Sequence, residues 1–305
     1  MNTPLVSVVI TTYNRGPAIR PTIDSVLAQT LQDFQIIVVD DGSTDDTPDV
    51  LRSYGDKIQV IRQPNAWTGA ARNRGLDAAR GKYIAPLDHD DVWLPRKLEI
   101  QSAYYENHPD LAIVLAKFVY LGSTTLMNDD FSHAADADGV ISDPLALLAS
   151  GSNLLSTSSA MMFNREKLGA IRYGEKRHAI EDVSLYLQLL ARGGVGLCSP
   201  EVLVHYHRHD SNISADAEYW YDGMRWLWRC QAAGIFHMPT SADDRLVDVY
   251  LAHLGRIAIR KQYQAGKRIP ACKLYFRDFP RQARNGKWRF LTLFPFRLAQ
   301  SVFNR

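Results

Sequence analysis

The sequence predicts a doubly wound α/β sheet flanked by helices, followed by a helical and basic C-terminal region. Short apolar, β-branched runs alternate with amphipathic helical runs over the first part of the 305-residue chain. This alternation is typical of parallel strands joined by right-handed helical crossovers. Polar and acidic clusters come directly after several of the apolar runs. Because ligands bind at the carboxyl ends of such strands, we expect a binding site where these clusters meet.

The elements of the first half are predicted from their apolar patterns, taken in chain order. Short and almost continuously apolar runs predict buried strands over residues 5–11, 34–39, 57–62 and 82–87. A helix is expected to begin at Gly16-Pro17, since Pro suits the first helical positions. Its apolar face is formed by Ile19, Ile23, Val26 and Leu27. Further helices are predicted over residues 47–54 and 68–79.

The second half has a less regular pattern. Strands are predicted over Leu111–Tyr120, Leu154–Phe163 and Glu201–Val204, and residues 122–140 are polar and acidic enough for a surface loop. The run that begins at Ala179 has helical spacing of its leucines, and Ser241–Asp244 is similar to a capping box that opens another helix. A helical C-terminal region is therefore expected.

Composition limits the class of protein. The chain is 46% hydrophobic and 22% charged, and its three cysteines show no C-x-x-C spacing, which favours free thiols in a reducing compartment over disulfides or a zinc site. We find no apolar run of about 18 residues and no signal peptide. We therefore expect a cytoplasmic protein, and peripheral attachment to the inner face of a membrane remains open. Neither G-x-G-x-x-G after the first strand nor a P-loop is present.

The net charge of +2 conceals a basic C-terminal end. Residues 261–305 carry 11 Lys and Arg against one acid, Asp278, so this segment has a charge of +10 and the rest of the chain −8. A segregated basic region of this kind indicates an anionic partner. Because aromatic residues are interspersed with the basic ones, we expect an anionic membrane surface and not nucleic acid. A plain helical subdomain is the simpler alternative.

Three carboxylates follow the fourth predicted strand within four residues, in Asp88-His89-Asp90-Asp91. Clustered carboxylates repel one another and lose solvation when they are buried. Alternation along an extended chain places Asp88 and Asp90 on the same side. Mg²⁺ and Mn²⁺ prefer such oxygen ligands and share them with substrate phosphates. By itself the cluster favours a solvated loop before a helix, because a D-x-D tripeptide is common. Taken together with the neighbouring motifs, it predicts a divalent cation site.

Three motifs together resemble the nucleotide-sugar domain of family 2 glycosyltransferases. They are VSVVITTYNR, IIVVDDGSTDDT and GAARNRGLDAARGKYIAPLDHDD, in that order and within about the first 115 residues. The resemblance implies a GT-A fold, a doubly wound mixed sheet flanked by helices. It also implies a nucleotide-sugar-binding half over residues 1–115 and an acceptor-binding, catalytic half over 116–235. The remaining region, 236–305, is the helical basic extension.

The resemblance places one group of residues at the nucleotide: Thr11, Tyr13, Asp41, Arg72 and Asp88. Tyr13 has the flat apolar face and polar tip that suit a base or ribose. Asp41 matches the acid that accepts a hydrogen bond from a uracil N–H, whereas Asp40 is expected to hold the loop by turn chemistry. Arg74 is the alternative to Arg72, and both arginines are also compatible with a solvated helix surface.

The same resemblance assigns a divalent cation, Mn²⁺ or Mg²⁺, to Asp90 and Asp88. The cation would neutralise the departing diphosphate, and Asp91 is expected to cap a helix instead. The stretch Tyr206-His207-Arg208-His209 is similar to a family loop that closes over the diphosphate. His209 is the candidate third metal ligand on this basis.

The helix that begins near residue 181 supplies the candidate general base. An inverting transfer needs a carboxylate to accept the proton of the attacking hydroxyl, and the family has a Glu-Asp pair at a helix start. Asp182 is the first choice for the base and Glu181 the second. Acids in a first helical turn also suit the helix dipole and its caps, which is the structural alternative.

These residues predict an enzyme. The resemblance implies transfer of a sugar from a nucleoside diphosphate sugar, most simply a UDP-sugar, to a glycan or glycolipid hydroxyl with inversion, in cell-surface polysaccharide synthesis. A catalytically inactive nucleotide-sugar-binding subunit of a glycan-assembly complex is the alternative from another class. A nucleotidyltransferase is the alternative enzyme, although Arg15-Gly16 is a poor triphosphate loop.

Overall fold

The computed structural model describes residues 3–121, 126–127, 134–152, 154, 157–175, 180–207 and 216–303. The chain forms two compact units. The first comprises Met1–Pro144, Asn153–Arg177 and Glu181–Asp210, and the second comprises Leu145–Ser152, His178–Ile180 and Ser211–Arg305. The predicted boundaries at residues 115 and 235 remain predictions.

The strands of the first unit form one mixed sheet. Their bounds are β1 Val6–Thr12, β2 Phe34–Asp40, β3 Gln59–Arg62, β4 Tyr83–Asp88, β5 Val92–Trp93, β6 Leu111–Tyr120, β7 Leu126–Met127, β8 Val140–Ile141, β9 Met161–Asn164 and β10 Gly194–Tyr206. The strand order is β3-β2-β1-β4-β9-β6-β10-β5, with β7 on β6 and β8 on β10. The first four strands in this order are parallel, and β9 is antiparallel to both of its neighbours.

Helices of the first unit connect these strands. They are α1 Arg20–Leu27, α2 Thr47–Arg52, α3 Trp67–Ala78, α4 Lys97–Asn107, α6 Arg165–Leu168 and α7 Glu181–Leu190. The apolar runs of β1 and β2 are buried almost throughout, as expected for strands that are covered on both faces. The prediction of an α/β mixed sheet flanked by helices is therefore confirmed.

The order of the strands places a crevice beside β1. From β1 the chain moves outward through β2 to β3, and β4 then pairs with the other side of β1. Such a reversal opens a crevice at the carboxyl ends of the strands. In the register of the sheet, Thr11 lies opposite Asp88 of β4 and Thr12 lies opposite Asp40 of β2. The predicted polar strand ends are thus adjacent.

Two predicted strands differ from the structure. Of the strand expected over Leu154–Phe163, the described residues form a strand only in β9, because residues 158–160 form a 3₁₀ turn whose start is capped by the Thr157 side chain. The strand expected at Glu201–Val204 begins seven residues earlier, at Gly194. Its register against β6 shifts between Leu197 and Val202, around a Ser-Pro step that disrupts the apolar pattern.

The second unit is helical where it is described. Its helices are α5 Pro144–Ser150, α8 Ala217–Ala232, α9 Ser241–Gln264, α10 Arg268–Arg284 and α11 Trp288–Phe303. The expected capping box at α9 starts one residue earlier, because the Thr240 hydroxyl accepts the N–H of Asp243. None of the helices that the structure describes combines the length and apolarity that a membrane span requires.

Lys97 is a fully buried cation in the first unit. Its ammonium group donates to Gln101 Oε1 at 2.6 Å and lies 3.9 Å from the centre of the Trp93 ring. Burial lowers the pKa of Lys97 from its ordinary value of 10.5 to about 7, and the nearby Cys198 opposes this shift. The unfolded chain therefore binds more protons than the folded chain between about pH 7 and pH 10.5.

The contribution of Lys97 to the stability of the protein should consequently rise with pH above neutrality. Each pH unit in this window adds up to about 1.4 kcal/mol to the free energy of unfolding, and this contribution is lost as the pH falls toward 7. In urea titrations at pH 7, 8 and 9, the stability difference between wild type and Lys97→Met should change with this slope. Lys57→Met, which removes an exposed lysine, is the control. A constant difference for Lys97→Met would contradict the expectation.

Candidate functional site

The crevice beside β1 collects several of the predicted site residues. Asp88 ends β4 opposite Thr11, and both lie at the carboxyl edge of the parallel strands. Tyr13 follows β1 and is 44% exposed, so its ring is available to a ligand. The edge therefore brings an exposed aromatic side chain and the Asp88 carboxylate to the same end of the sheet, where the nucleotide site is predicted.

Arg72 connects this edge to the start of α7. Its guanidinium is buried, with Nη2 at 2.7 Å from Asp88 Oδ1 and Nη1 at 2.8 Å from Glu181 Oε1. It also lies over the Tyr173 ring, 5.3 Å from the ring centre. Burial by itself lowers the pKa of Arg72, but the two carboxylates raise it well above its ordinary value. The arginine is therefore a permanent cation between two acids.

A close approach of the backbone places Tyr173 at this arginine. Gly69 in α3 lies so near the carbonyl oxygen of Gly174 that a Cβ atom at residue 69 would overlap it. Asn73, one turn further along α3, binds the backbone of Tyr173 with both ends of its amide, at 2.8 and 3.1 Å. The segment before α7 is thereby fastened to the helix that carries Arg72.

The two acids at the start of α7 have raised pKa values. Burial raises the pKa of Glu181 to about 7 although Arg72 opposes the shift. Burial also raises the pKa of Asp182, again against Arg72, and the Tyr186 hydroxyl donates to Asp182. Tyr186 lies 2.9 Å from Ser158 Oγ. Asp182 is half-buried and, unlike Glu181, makes no ion pair with Arg72 among the described contacts.

His89, the middle residue of the Asp-His-Asp tripeptide, ties two loops together. Its Nδ1 lies 3.0 Å from the carbonyl oxygen of Thr11, and Arg15 Nε donates to its Nε2 at 2.5 Å. These partners assign the neutral ring with the proton on Nδ1. Burial lowers the pKa of His89, and Arg15 also contributes to this. Sequence reasoning did not select His89; β4 ends at Asp88 and residues 89–90 form a turn, so strand alternation does not set the direction of its side chain.

Asp91 does not cap a helix. It is buried, and its Oδ1 accepts the backbone N–H of His207 at 2.8 Å, whereas the cap of α4 is Arg96. Burial, followed by the Asp88 carboxylate, raises the pKa of Asp91 well above its ordinary value. The expected capping role is therefore wrong, because Asp91 turns inward to hold the end of β10.

The chemistry of Asp88 and Asp90 suits a divalent cation. Asp90 Oδ2 lies 3.9 Å from His89 Nε2, and the carboxylates of Asp88 and Asp90 both act on Asp91. Mg²⁺ commonly binds one or two carboxylates and takes its other ligands from water and substrate phosphates. Within the described ranges, no three His, Cys, Asp or Glu side chains form a complete metal cage. His209 and Arg208 lie outside the described residues.

Asp41 holds its own loop in this structure. Its Oδ1 accepts from Gln63 Nε2 at 2.7 Å and from the N–H of Ala66 at 2.9 Å. Asp40 does the same for Ser43, whose N–H lies 2.9 Å from Asp40 Oδ1. The expected loop role of Asp40 agrees with this contact, and the base-reading role of Asp41 remains a prediction.

Trp67 is a residue that sequence reasoning did not select. It follows Ala66 at the start of α3, is 39% exposed, and adopts a φ of 74°. Positive φ is costly for a bulky residue and is concentrated at functional sites. No pattern in the sequence marks this conformation, since Trp is not a turn residue.

Comparison with known proteins identifies the family. The family model for glycosyl transferase family 2 matches residues 7–169, more than half of the chain. The chain belongs to glycosyl transferase family 2. This family 2 chain is 31% identical over 217 residues to TuaG of Bacillus subtilis (strain 168), provisionally described as a teichuronic acid biosynthesis glycosyltransferase; the match covers 70% of this chain and 82% of TuaG.

Other relatives of this family 2 chain match a shorter segment. An uncharacterized glycosyltransferase of Rickettsia prowazekii (strain Madrid E) is 48% identical over 98 residues, 32% of this chain. The chain thus spans about a third, 31%, of the length of that relative.

Solved structures share the fold of this family 2 chain. S. aureus TarS 1-349 in complex with UDP-GlcNAc has a TM-score of 0.69 and 19% identity, over 87% of this chain and 79% of TarS. The mannosyltransferase PcManGT from Pyrobaculum calidifontis, in complex with GDP-Man and Mn²⁺, has a TM-score of 0.57 and 16% identity, over 99% of this chain and 84% of PcManGT. At these identities the likeness establishes the fold alone.

Proposed function

We propose that this family 2 glycosyltransferase transfers a sugar from a UDP-sugar to a hydroxyl of a glycan or glycolipid, with inversion. The observation that carries the proposal is the ion-pair bridge Asp88–Arg72–Glu181, which fastens the ligand-binding edge of the sheet to the helix that presents Asp182. The name of TuaG and the UDP-GlcNAc bound to TarS support the substrate class and a role in cell-surface polysaccharide synthesis.

Asp182 acts as the general base in this proposal. It takes the proton from the acceptor hydroxyl while the hydroxyl oxygen attacks the anomeric carbon and the bond to the diphosphate breaks. The raised pKa of Asp182 makes its carboxylate a stronger base than an ordinary Asp. Glu181 is the second choice, since its Oε1 is already bound to Arg72 at 2.8 Å.

The nucleotide lies over the carboxyl ends of β1 and β2. Thr11 and the exposed Tyr13 contact the base and ribose, and Asp41 accepts from the base with the oxygen that its loop does not use. Asp88 serves the ribose side of the site. Arg72 is a positioning residue, because its two nitrogens are bound to carboxylates.

Asp90 and Asp88 would hold a divalent cation, Mn²⁺ or Mg²⁺, and His209 is proposed as a further ligand. When bound, the cation supplies positive charge that stabilises the diphosphate leaving group. The chain itself orients Asp88 through Arg72, which binds its carboxylate, and through the Ser159 hydroxyl, which accepts its backbone N–H at 3.1 Å.

Donor binding tests the nucleotide site. By calorimetry, UDP and UDP-GlcNAc should bind with Mn²⁺, and EDTA or Asp90→Ala should weaken binding at least about tenfold, or about 1.4 kcal/mol. Asp33→Ala is the matched control, since Asp33 is an exposed acid immediately before the amino end of β2. Failure of every nucleotide sugar to bind, with or without Mn²⁺, would overturn the proposal.

A further inference from the structure

A cavity of about 560 Å³ lies in the second unit between α9 and the first turns of α11. Its volume is in the range of small-molecule sites. Four cationic side chains line it, and they come from α9 and from the residues around the start of α11: Arg256, Arg260, Lys287 and Arg289. All of the residues that line the cavity belong to this unit, and none of them is assigned to sugar transfer.

The positive charge of this cavity is largely uncompensated. Among the described contacts, Arg260, Lys287 and Arg289 form no ion pair, and Arg256 donates to the neutral amide of Gln282 at 2.9 Å. The one acid of the C-terminal segment, Asp278, is bound to Arg281 at 3.0 Å, and of the four cavity cations its carboxylate acts on Arg256. Like charges gathered around one space attract a multivalent anion, and phosphate is the common biological form.

Together with burial, the positive charge of the cavity lowers the pKa of the neighbouring His253. Burial lowers the pKa of His253, and Arg256, Arg260 and Lys287 lower it further. Three of the four cavity cations therefore lower the pKa of a single neighbouring side chain. Among the described residues, no acid raises the pKa of His253 in return.

One wall of the cavity is apolar. It is formed by Phe290, Leu293 and Phe294, and Phe294 stacks on Tyr275 with ring centres 5.1 Å apart. Leu293 remains 45% exposed, and Trp288 on the same helix is 60% exposed. An apolar wall beside clustered cations suits a ligand that has both an anionic head and a hydrocarbon chain.

We propose that this cavity binds the phosphate headgroup of an anionic membrane lipid. The cations Arg256, Arg260, Lys287 and Arg289 contact the phosphate, and the adjoining hydrocarbon lies along Phe290 and Leu293. The four clustered cations favour a phosphate as the ligand. The exposed apolar side chains of Leu293 and Trp288 favour a lipid over a soluble anion. The site is independent of the transfer reaction and would hold the protein at an anionic membrane surface.

Matched charge variants separate a defined site from general attraction. Arg260→Gln with Arg289→Gln removes two cavity cations, whereas Lys273→Gln with Arg284→Gln removes two exposed cations of α10, outside the cavity. Each variant of the whole 305-residue chain is floated with phosphatidylcholine vesicles that contain or lack phosphatidylglycerol. The cavity pair should weaken binding to the anionic vesicles at least about tenfold more than the control pair, since diffuse attraction would affect both equally.

Neutral variants test the apolar wall. Leu293→Ser should weaken vesicle binding several-fold, and Ile269→Ser, which changes a 71% exposed residue outside the cavity, should not. Circular dichroism checks that each variant is folded. Equal losses in the two charge pairs, or no preference of the wild type for phosphatidylglycerol, would overturn the proposal. So would inorganic phosphate that binds in calorimetry and displaces the vesicles, which would indicate a free-phosphate site.

Discussion

Replacing Asp182 with Asn should lower the rate of sugar transfer by about 10²–10⁴-fold, the usual contribution of a general base. The amide has nearly the same shape as the carboxylate but does not accept the proton of the acceptor hydroxyl. Donor affinity should stay close to that of the wild type, because the assigned nucleotide contacts lie at the ends of β1, β2 and β4 and not on α7. Single-turnover transfer and calorimetry with a UDP-sugar measure the two quantities separately.

Glu181→Gln is the comparison variant for this experiment. It removes the carboxylate that pairs with Arg72 but leaves Asp182, so it should retain far more activity than Asp182→Asn. The wild-type rate should fall on the acid side at a higher pH than for an ordinary Asp, because burial raises the pKa of Asp182. If Asp182→Asn transferred sugar at nearly the wild-type rate and Glu181→Gln lost activity, Glu181 would be the general base instead.

Arg72→Leu should destabilise the protein by about 3–5 kcal/mol. The substitution leaves the Asp88 and Glu181 carboxylates without the cation that compensates their burial, and the loss of one partner from a buried ion pair is costly on this scale. Arg72→Lys should also be destabilising, since an ammonium group does not reproduce the planar fork that spans two carboxylates.

Arg74→Leu provides the control for this prediction. Arg74 lies two residues further along α3 but is exposed and has no ion pair among the described contacts. Urea unfolding of both variants gives the comparison, and adding Glu181→Gln to Arg72→Leu should recover part of the loss. Equal stability of Arg72→Leu and Arg74→Leu would show that the bridge does not stabilise the fold.

The strands near the crevice could be predicted because their signal is local. The apolar runs of β1, β2 and β4 end at polar residues, and burial on both faces leaves little choice of structure. The start of β10 was missed because Gly194 and Gly196 lack β-forming side chains; pairing with β6 and β8 holds them in the strand instead.

The connections within the candidate site could be predicted only in part. Asp88, Glu181 and Arg72 were each selected from the sequence, but the bridge between them joins residues 16 and 109 positions apart, and no local pattern encodes such a pairing. The loop contacts of Asp41 depend in the same way on where residues 63 and 66 fold back.

The histidine between Asp88 and Asp90 has a consequence for the thermodynamics of donor binding. Because His89 joins the carbonyl of Thr11 to Arg15, the loops that follow β1 and β4 are fastened to each other before any ligand arrives. The donor therefore binds to loops that are already ordered, and these loops lose little conformational entropy when it binds. The affinity of this side of the crevice for the donor should therefore reflect mainly the contacts between the donor and the protein, with little of it lost to ordering these loops.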